Sequence, residues 1–273
     1  MNILPQVTRI TKQKRNNQRY NVFLKQGDKE IYGFSVEENT LIEEMIRKGQ
    51  ELDQPTIDAL LSKDTIHKAY SLALIYLGHR MRSVFEMKQY LMKKEIDPEH
   101  IEEIINRLLK EKLLDDEAFA LAFVRTKVNT TVKGPLLIKK ELQEKGVHES
   151  VAETALADFS REDQLEKINK WLVKEAKKTN RQSHQQKIMK QKQGLMQKGF
   201  SHAVITEALE QFKQVKDNQE EWAAVITQGK KILRKQSKKW QGYELKQKVK
   251  ASLYQKGFGI EEIDRFIQEY LEE

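Results

Sequence analysis

A chain of 273 residues has room for two ordinary domains or a tandem array, and its 12 Gly and 4 Pro are too few for a sandwich or barrel, which needs a turn about every 8–12 residues. Apolar residues make up 38% and charged residues 33%, which disfavours one large core and suits a slender helical assembly. The net charge of +8 invites an anionic partner, and the absence of cysteine rules out disulfides, thiolate zinc sites and a cysteine nucleophile.

The N-terminal stretch alternates apolar and polar residues over Val7–Lys14, Arg19–Lys25 and Glu30–Val36, with Gln26-Gly27-Asp28-Lys29 as a turn between the last two. Two or three antiparallel strands are expected. Glu38-Asn39-Thr40 then precedes a helical run ending at Gly49, and Asp53 with Pro55 opens another that begins with Ile57, Leu60 and Leu61. No apolar stretch of ~18 residues occurs, so a soluble, cytoplasmic protein without a membrane partner is expected.

From about residue 65 the period is helical, and an internal repeat emerges. Leu91, Leu142, Leu195 and Leu253 share one position, at spacings of 51, 53 and 58 residues. Ile96, Val147, Phe200 and Phe258 follow five later; Ile105, Leu156, Leu209 and Ile267 follow nine after those. That period holds three ordinary helices. The second helices end at Lys145-Gly146, Lys198-Gly199 and Lys256-Gly257, where Gly can adopt a left-handed cap; repeat one carries Glu95 instead, so a different cap is expected there. Asp97 before Pro98, Ser201 and Gly259 mark starts of third helices, with His148 a weaker cap. The fold class expected is mainly α: an elongated tandem array of three-helix repeats behind a small strand-containing extension. Its segments are 1–64, 65–114, 115–160, 161–216 and 217–273.

Charge is unevenly distributed. Residues 1–35 carry +5, 36–160 carry −5, 161–256 carry +13 and 257–273 carry −5. The +13 block suits a polyanion or an acidic protein surface, although solvated helix faces are also rich in lysine. Catalytic constellations do not emerge: the six histidines have no i+3 or i+4 partner, Gly229-Lys230-Lys231 lacks the earlier glycine of a phosphate loop, and Asp115-Asp116 precedes a helix, where N-capping explains it. No enzyme, metal or cofactor is expected.

Two lysine columns run through the repeats, Lys88, Lys139, Lys192 and Lys250 three residues before each anchor leucine, and Lys94, Lys145, Lys198 and Lys256 three after it. The later column occupies the last helical turn, where a cation complements the helix dipole. The earlier column lies mid-helix beside the apolar stripe, either snorkelling over the core edge or facing a polymeric partner. Trp171 and Trp222 fit apolar helix periods; Trp240, flanked by Lys238 and Lys239, is open to base stacking.

Further residues carry a family resemblance: Tyr20-Asn21-Val22-Phe23-Leu24; Ala69 to Leu77 leading to Arg80, Arg82 and Ser83; Glu86 and Leu91; Leu113-Leu114-Asp115-Asp116 with Phe119-Ala120; and Lys133-Gly134-Pro135 with Ile138, Glu141 and Leu142. Together they resemble the bacterial RecX regulatory family, in its longer Gram-positive form. The resemblance implies tandem three-helix repeats, a monomeric cytoplasmic protein without enzymatic activity, and binding to RecA filaments on single- or double-stranded DNA with modulation, usually inhibition, of RecA ATPase, strand exchange and co-protease activity. The side chains expected to meet the partner are Arg80, Arg82, Lys88, Lys133, Lys139, Lys140, Lys192, Lys246, Lys248 and Lys250. Arg80 and Arg82 could equally tie down helix ends. The alternative is a sequence-neutral DNA-binding protein that competes for DNA.

Overall fold

A computed structural model describes residues 4–14, 16–176, 182–212 and 218–271. The expected boundary between 216 and 217 lies outside them. Two compact units are present, Met1–Phe119 together with Lys145–Val147, and Ala120–Glu144 together with His148–Glu273.

The first unit opens with an antiparallel sheet of β1 (Gln6–Lys12), β2 (Arg19–Gln26) and β3 (Lys29–Glu37), in that order. Gly27-Asp28 makes the tight turn between β2 and β3, with Gly27 at φ 63°. Alternation puts Val22, Leu24, Phe34 and Val36 on one face, where they form a core with Val7, Leu52, Ile57 and Leu60. Two helices follow, α1 (Glu38–Glu43) and α2 (Gln54–His79), the latter capped by Asp53, whose carboxylate accepts from the Thr56 amide.

The expected boundary at residue 64 falls inside α2, which is continuous over 26 residues. Its first half belongs to the sheet: buried Asp64 pairs with Arg19 at 2.8 Å and accepts from the Glu37 amide at 2.5 Å. Its second half inserts Ala69 and Ala73 into another core with Met87, Leu91, Ile104 and Leu108. Those come from α3 (Val84–Lys93) and α4 (Pro98–Lys110), so α2, α3 and α4 form the first three-helix repeat. Helix α3 starts with a capping box between Ser83 and Glu86.

The remaining helices follow the same plan. They are α5 (Asp116–Thr130), α6 (Pro135–Glu144) and α7 (Glu149–Leu156); α8 (Arg161–Ala176), α9 (His184–Gln197) and α10 (His202–Phe212); and α11 (Asn218–Gln236), α12 (Gly242–Gln255) and α13 (Ile260–Leu271). All four anchor leucines are fully buried. The protein is thus mostly helical, with three-helix repeats behind a three-stranded sheet. Among the described residues no helix is long and apolar enough to cross a membrane.

The cap of repeat one departs from expectation: Glu95 takes φ 59°, the same left-handed conformation as Gly146, Gly199 and Gly257. The Ile96 amide returns to the Leu91 carbonyl as Phe200 does to Leu195 and Phe258 to Leu253. What differs is the surroundings. A Cβ on Gly146 would stand 2.3 Å from Phe85, and one on Gly199 2.4 Å from the Leu137 amide nitrogen. Beside Glu95, Lys94 and Ile96 instead line a cavity of about 710 Å³ under β3 and α2. Glycine is required where another helix packs on the turn, and a residue with a side chain is tolerated where none does.

Candidate functional site

The Lys-Gly turns are seats for the starts of other helices. The Ser83 hydroxyl at the start of α3 donates to the Lys145 carbonyl at 2.6 Å, and Ser183 at the start of α9 donates to the Lys256 carbonyl at 2.6 Å. At the start of α6 backbone does the same work: the Gly134 and Leu136 amides donate to the Lys198 and Gly199 carbonyls at 2.7 and 3.0 Å. Side chains from following first helices complete these joints. Asp116 accepts from the Val84 amide at 2.9 Å, buried Glu221 accepts from the His184 amide at 2.8 Å, and Lys167 donates to the Val128 and Thr131 carbonyls near the end of α5. Burial pushes the Asp116 carboxyl and the Lys167 ammonium toward their neutral forms, the first up and the second down.

The sequence-predicted cations divide by what they touch. Arg80 grips the Glu86 carboxylate with both guanidinium nitrogens, at 2.9 and 3.0 Å, and Lys145 reaches the same group at 2.7 Å. Burial alone would raise the Glu86 carboxyl, but the hydrogen bonds from Arg80 and Lys145 outweigh it and hold it at about 2. Arg82 lies over the Tyr76 ring at 3.9 Å, and Tyr76 stacks on Tyr90. Lys133 and Lys127 converge on Glu141, which they keep ionised below the usual carboxylate range despite the opposing effect of burial.

The earlier lysine column is a ladder of ion pairs within repeats. Lys88 bonds Glu102 at 2.6 Å, Lys139 bonds Glu153 at 2.7 Å and Lys250 bonds Asp264 at 2.5 Å. Each acid stands 14 residues after its lysine, joining a second helix to its third. Lys139 gains Glu149 as well, at 2.6 Å, and its ammonium is raised by both carboxylates. The third repeat breaks the ladder: position 206 is Thr, and Lys192 has no ion pair among the described residues. Of the remaining candidates, Lys140 is 71% exposed and lies 4.0 Å from Glu144, Lys246 is engaged, and Lys248 lies over the Trp240 ring at 5.1 Å.

Arg265 covers Trp222 at 4.0 Å and Lys198 approaches Trp171 at 5.9 Å, so all three tryptophans carry a cation on the ring. Gly229 leaves room for Phe266, whose ring would lie 2.3 Å from an added Cβ. Among the described residues no group of three His, Asp or Glu side chains is placed to hold a metal ion.

The residues expected to meet the partner left out one group inside the +13 block. Lys231, Arg234, Lys235, Lys238 and Lys239, at the end of α11 and in the turn after it, are exposed and form no ion pair within the described residues. The signal was the local charge: between Trp222 and Ile260 there are ten basic residues and one acid, Glu244.

Tandem three-helix units, joined helix-start to helix-cap and braced by internal ion pairs, define a helical repeat protein that presents a charged surface. The chain matches the family descriptions "RecX, first three-helix domain" over residues 69–108, "RecX, second three-helix domain" over 115–156, "RecX, third three-helix domain" twice, over 162–209 and 219–267, and "Regulatory protein RecX N-terminal domain" over 5–53. It is 45% identical to the regulatory protein RecX of Oceanobacillus iheyensis, over 99% of this chain and all of that one, and 44% identical to that of Halalkalibacterium halodurans, over 96% and 99%. A solved regulatory protein RecX superimposes with a TM-score of 0.66 at 36% identity, over 77% of this chain and 99% of that one. RecX from Lactobacillus salivarius gives 0.54 at 35%, over 56% and 99%. The chain belongs to the RecX regulatory family, and its fourth repeat is a second copy of the third domain type.

Proposed function

We propose that this protein is a non-enzymatic, cytoplasmic regulator that binds RecA–DNA filaments as a monomer and lowers RecA ATPase, strand-exchange and co-protease activity. The observation that carries the reading is membership of a regulatory family along the whole chain. The architecture supports it: tandem units suit a partner that repeats along its own axis, because successive repeats can meet successive protomers. Occupancy of the filament groove then hinders subunit movement without any chemistry by the regulator.

The test is RecA ATPase on single-stranded DNA, titrated with the full chain. Hydrolysis falls with added protein, and the protein alone hydrolyses no ATP. An unchanged RecA rate at saturating protein would overturn the reading. The alternative, competition for DNA, is favoured by the uncompensated charge at the end of α11. It differs in that a variant unable to hold free DNA no longer inhibits, whereas a filament-bound regulator keeps inhibiting.

A further inference from the structure

We infer that the end of α11 and the turn after it form a direct contact for the phosphate backbone of nucleic acid, so that the fourth repeat holds DNA independently of RecA. The inference deepens the proposed function, since the filament carries DNA, but the binding itself needs no filament.

Several of the cations that the repeats hold in register are already neutralised. Arg80, Lys88, Lys133, Lys139, Lys145 and Lys250 each have a carboxylate within hydrogen-bond reach, so recruiting them to a partner would break an existing pair. Lys231, Arg234, Lys235, Lys238 and Lys239 carry no such penalty. Residues 230–239 hold six cations and no acid. Ile232 and Leu233 of the same segment turn into the core with Phe266 and Ile267, which leaves the basic side chains together on the outer side. Lys231, Arg234 and Lys235 follow the i, i+3, i+4 spacing of one face of α11, and Lys238 and Lys239 continue the run in the turn after Gln236. A duplex strand presents a charge about every 3.4 Å of axis, so such a row meets phosphates of one strand without needing a particular base.

An acidic protein is the competing occupant. Protein interfaces carry apolar and aromatic anchors at their centre. None of the exposed residues of 230–239 is apolar; they are Lys, Arg and Ser. The nearest exposed aromatic is Tyr243, 75% exposed at the start of α12, close enough in sequence to stack on a base while the row holds the backbone. This favours nucleic acid.

The experiment is fluorescence anisotropy with a labelled 30-nucleotide oligo(dT), RecA absent, across a salt series. Five single-strand phosphate contacts would give a log–log salt slope of about −3.5. The full chain carrying Lys231→Gln, Arg234→Gln, Lys235→Gln, Lys238→Gln and Lys239→Gln, with native circular dichroism, should bind at least tenfold more weakly with a slope nearer zero. Arg125→Gln, an exposed cation on α5 outside this row, should bind as the parent does. Unchanged affinity and slope in the folded five-site variant would overturn the proposal, as would equal binding of poly-glutamate by the parent protein. Testing the five-site variant on preformed RecA filaments separates the two readings. Retained filament binding with lost oligo(dT) binding supports a separate DNA contact, while a parent protein that binds oligo(dT) but leaves RecA hydrolysis unchanged sinks only the regulatory role.

Discussion

The third repeat and its three counterparts share helix order and buried anchors yet differ at two adjacent positions. Four residues before the anchor leucine the others bury Met87, Ile138 and Val249 completely. The third repeat buries Gln191 there, at 5% exposure, with neither the amide oxygen nor the nitrogen hydrogen-bonded. One residue on, Lys192 lacks the acid that Lys88, Lys139 and Lys250 have. The backbone joints, by contrast, are kept: Lys198-Gly199 and Lys256-Gly257 receive helix starts as Lys145-Gly146 does. Joints therefore recur in the three repeats that carry a Lys-Gly turn, while core polarity and ion-pair rungs are adjustable, and the third repeat is the unit whose second helix is held least firmly.

Breaking a joint should cost most. Gly199→Ala places a methyl 2.4 Å from the Leu137 amide nitrogen at φ 86°, so two backbones must part. A loss of about 3–5 kcal/mol is expected, the range of severe core mutations, seen as a lower urea midpoint. Next comes the Arg80–Glu86–Lys145 tie of the first repeat. Glu86→Gln should cost about 2–3 kcal/mol at pH 7, because the carboxyl falls from 4.5 unfolded to about 2 folded. That depression contributes stability in full above the unfolded value, and it is lost as pH drops from about 5 toward 2. Parent and variant melting temperatures should therefore converge at low pH, and a constant difference down to pH 2 would refute the assignment.

Repairs to the third repeat should work in the opposite direction. Gln191→Met replaces two unbonded buried polar atoms with the residue the first repeat uses, and a gain of about 1–3 kcal/mol is expected from urea melts. Hydrogen exchange should show α9 amides opening before those of α3 in the parent and later in this variant. Smallest is Thr206→Glu, which supplies the missing rung and should add at most about 1 kcal/mol, less in high salt.

Much of the fold was legible because its signals are local. Alternation marked the strands, Gly27-Asp28 the turn, and Asp53 with Pro55 the start of α2; aligned leucines set the repeat register. Glu95 was misjudged because the left-handed cap is a backbone state, and its usual glycine answers a neighbour that the first repeat lacks. The joints were not legible: Ser83 meets Lys145 across 62 residues, and no local pattern pairs them. The rungs were half legible. The lysine column stood out, while its meaning lay in the acids 14 residues on, at Glu102, Glu153 and Asp264, which the same alignment contains. Which cations remain free depends on such partners, so the local charge excess at the end of α11 was legible while its lack of ion pairs was not.

The central claim is that this protein engages RecA filaments, and co-sedimentation tests it most directly. RecA is assembled on single-stranded DNA with a slowly hydrolysed ATP analogue, mixed with the full chain and pelleted. The account predicts that the protein enters the pellet with filaments, saturates at a fixed ratio to RecA, and still does so as the five-site α11 variant that no longer holds free DNA. Protein that remains in the supernatant while RecA pellets, or a five-site variant that no longer pellets, would contradict it.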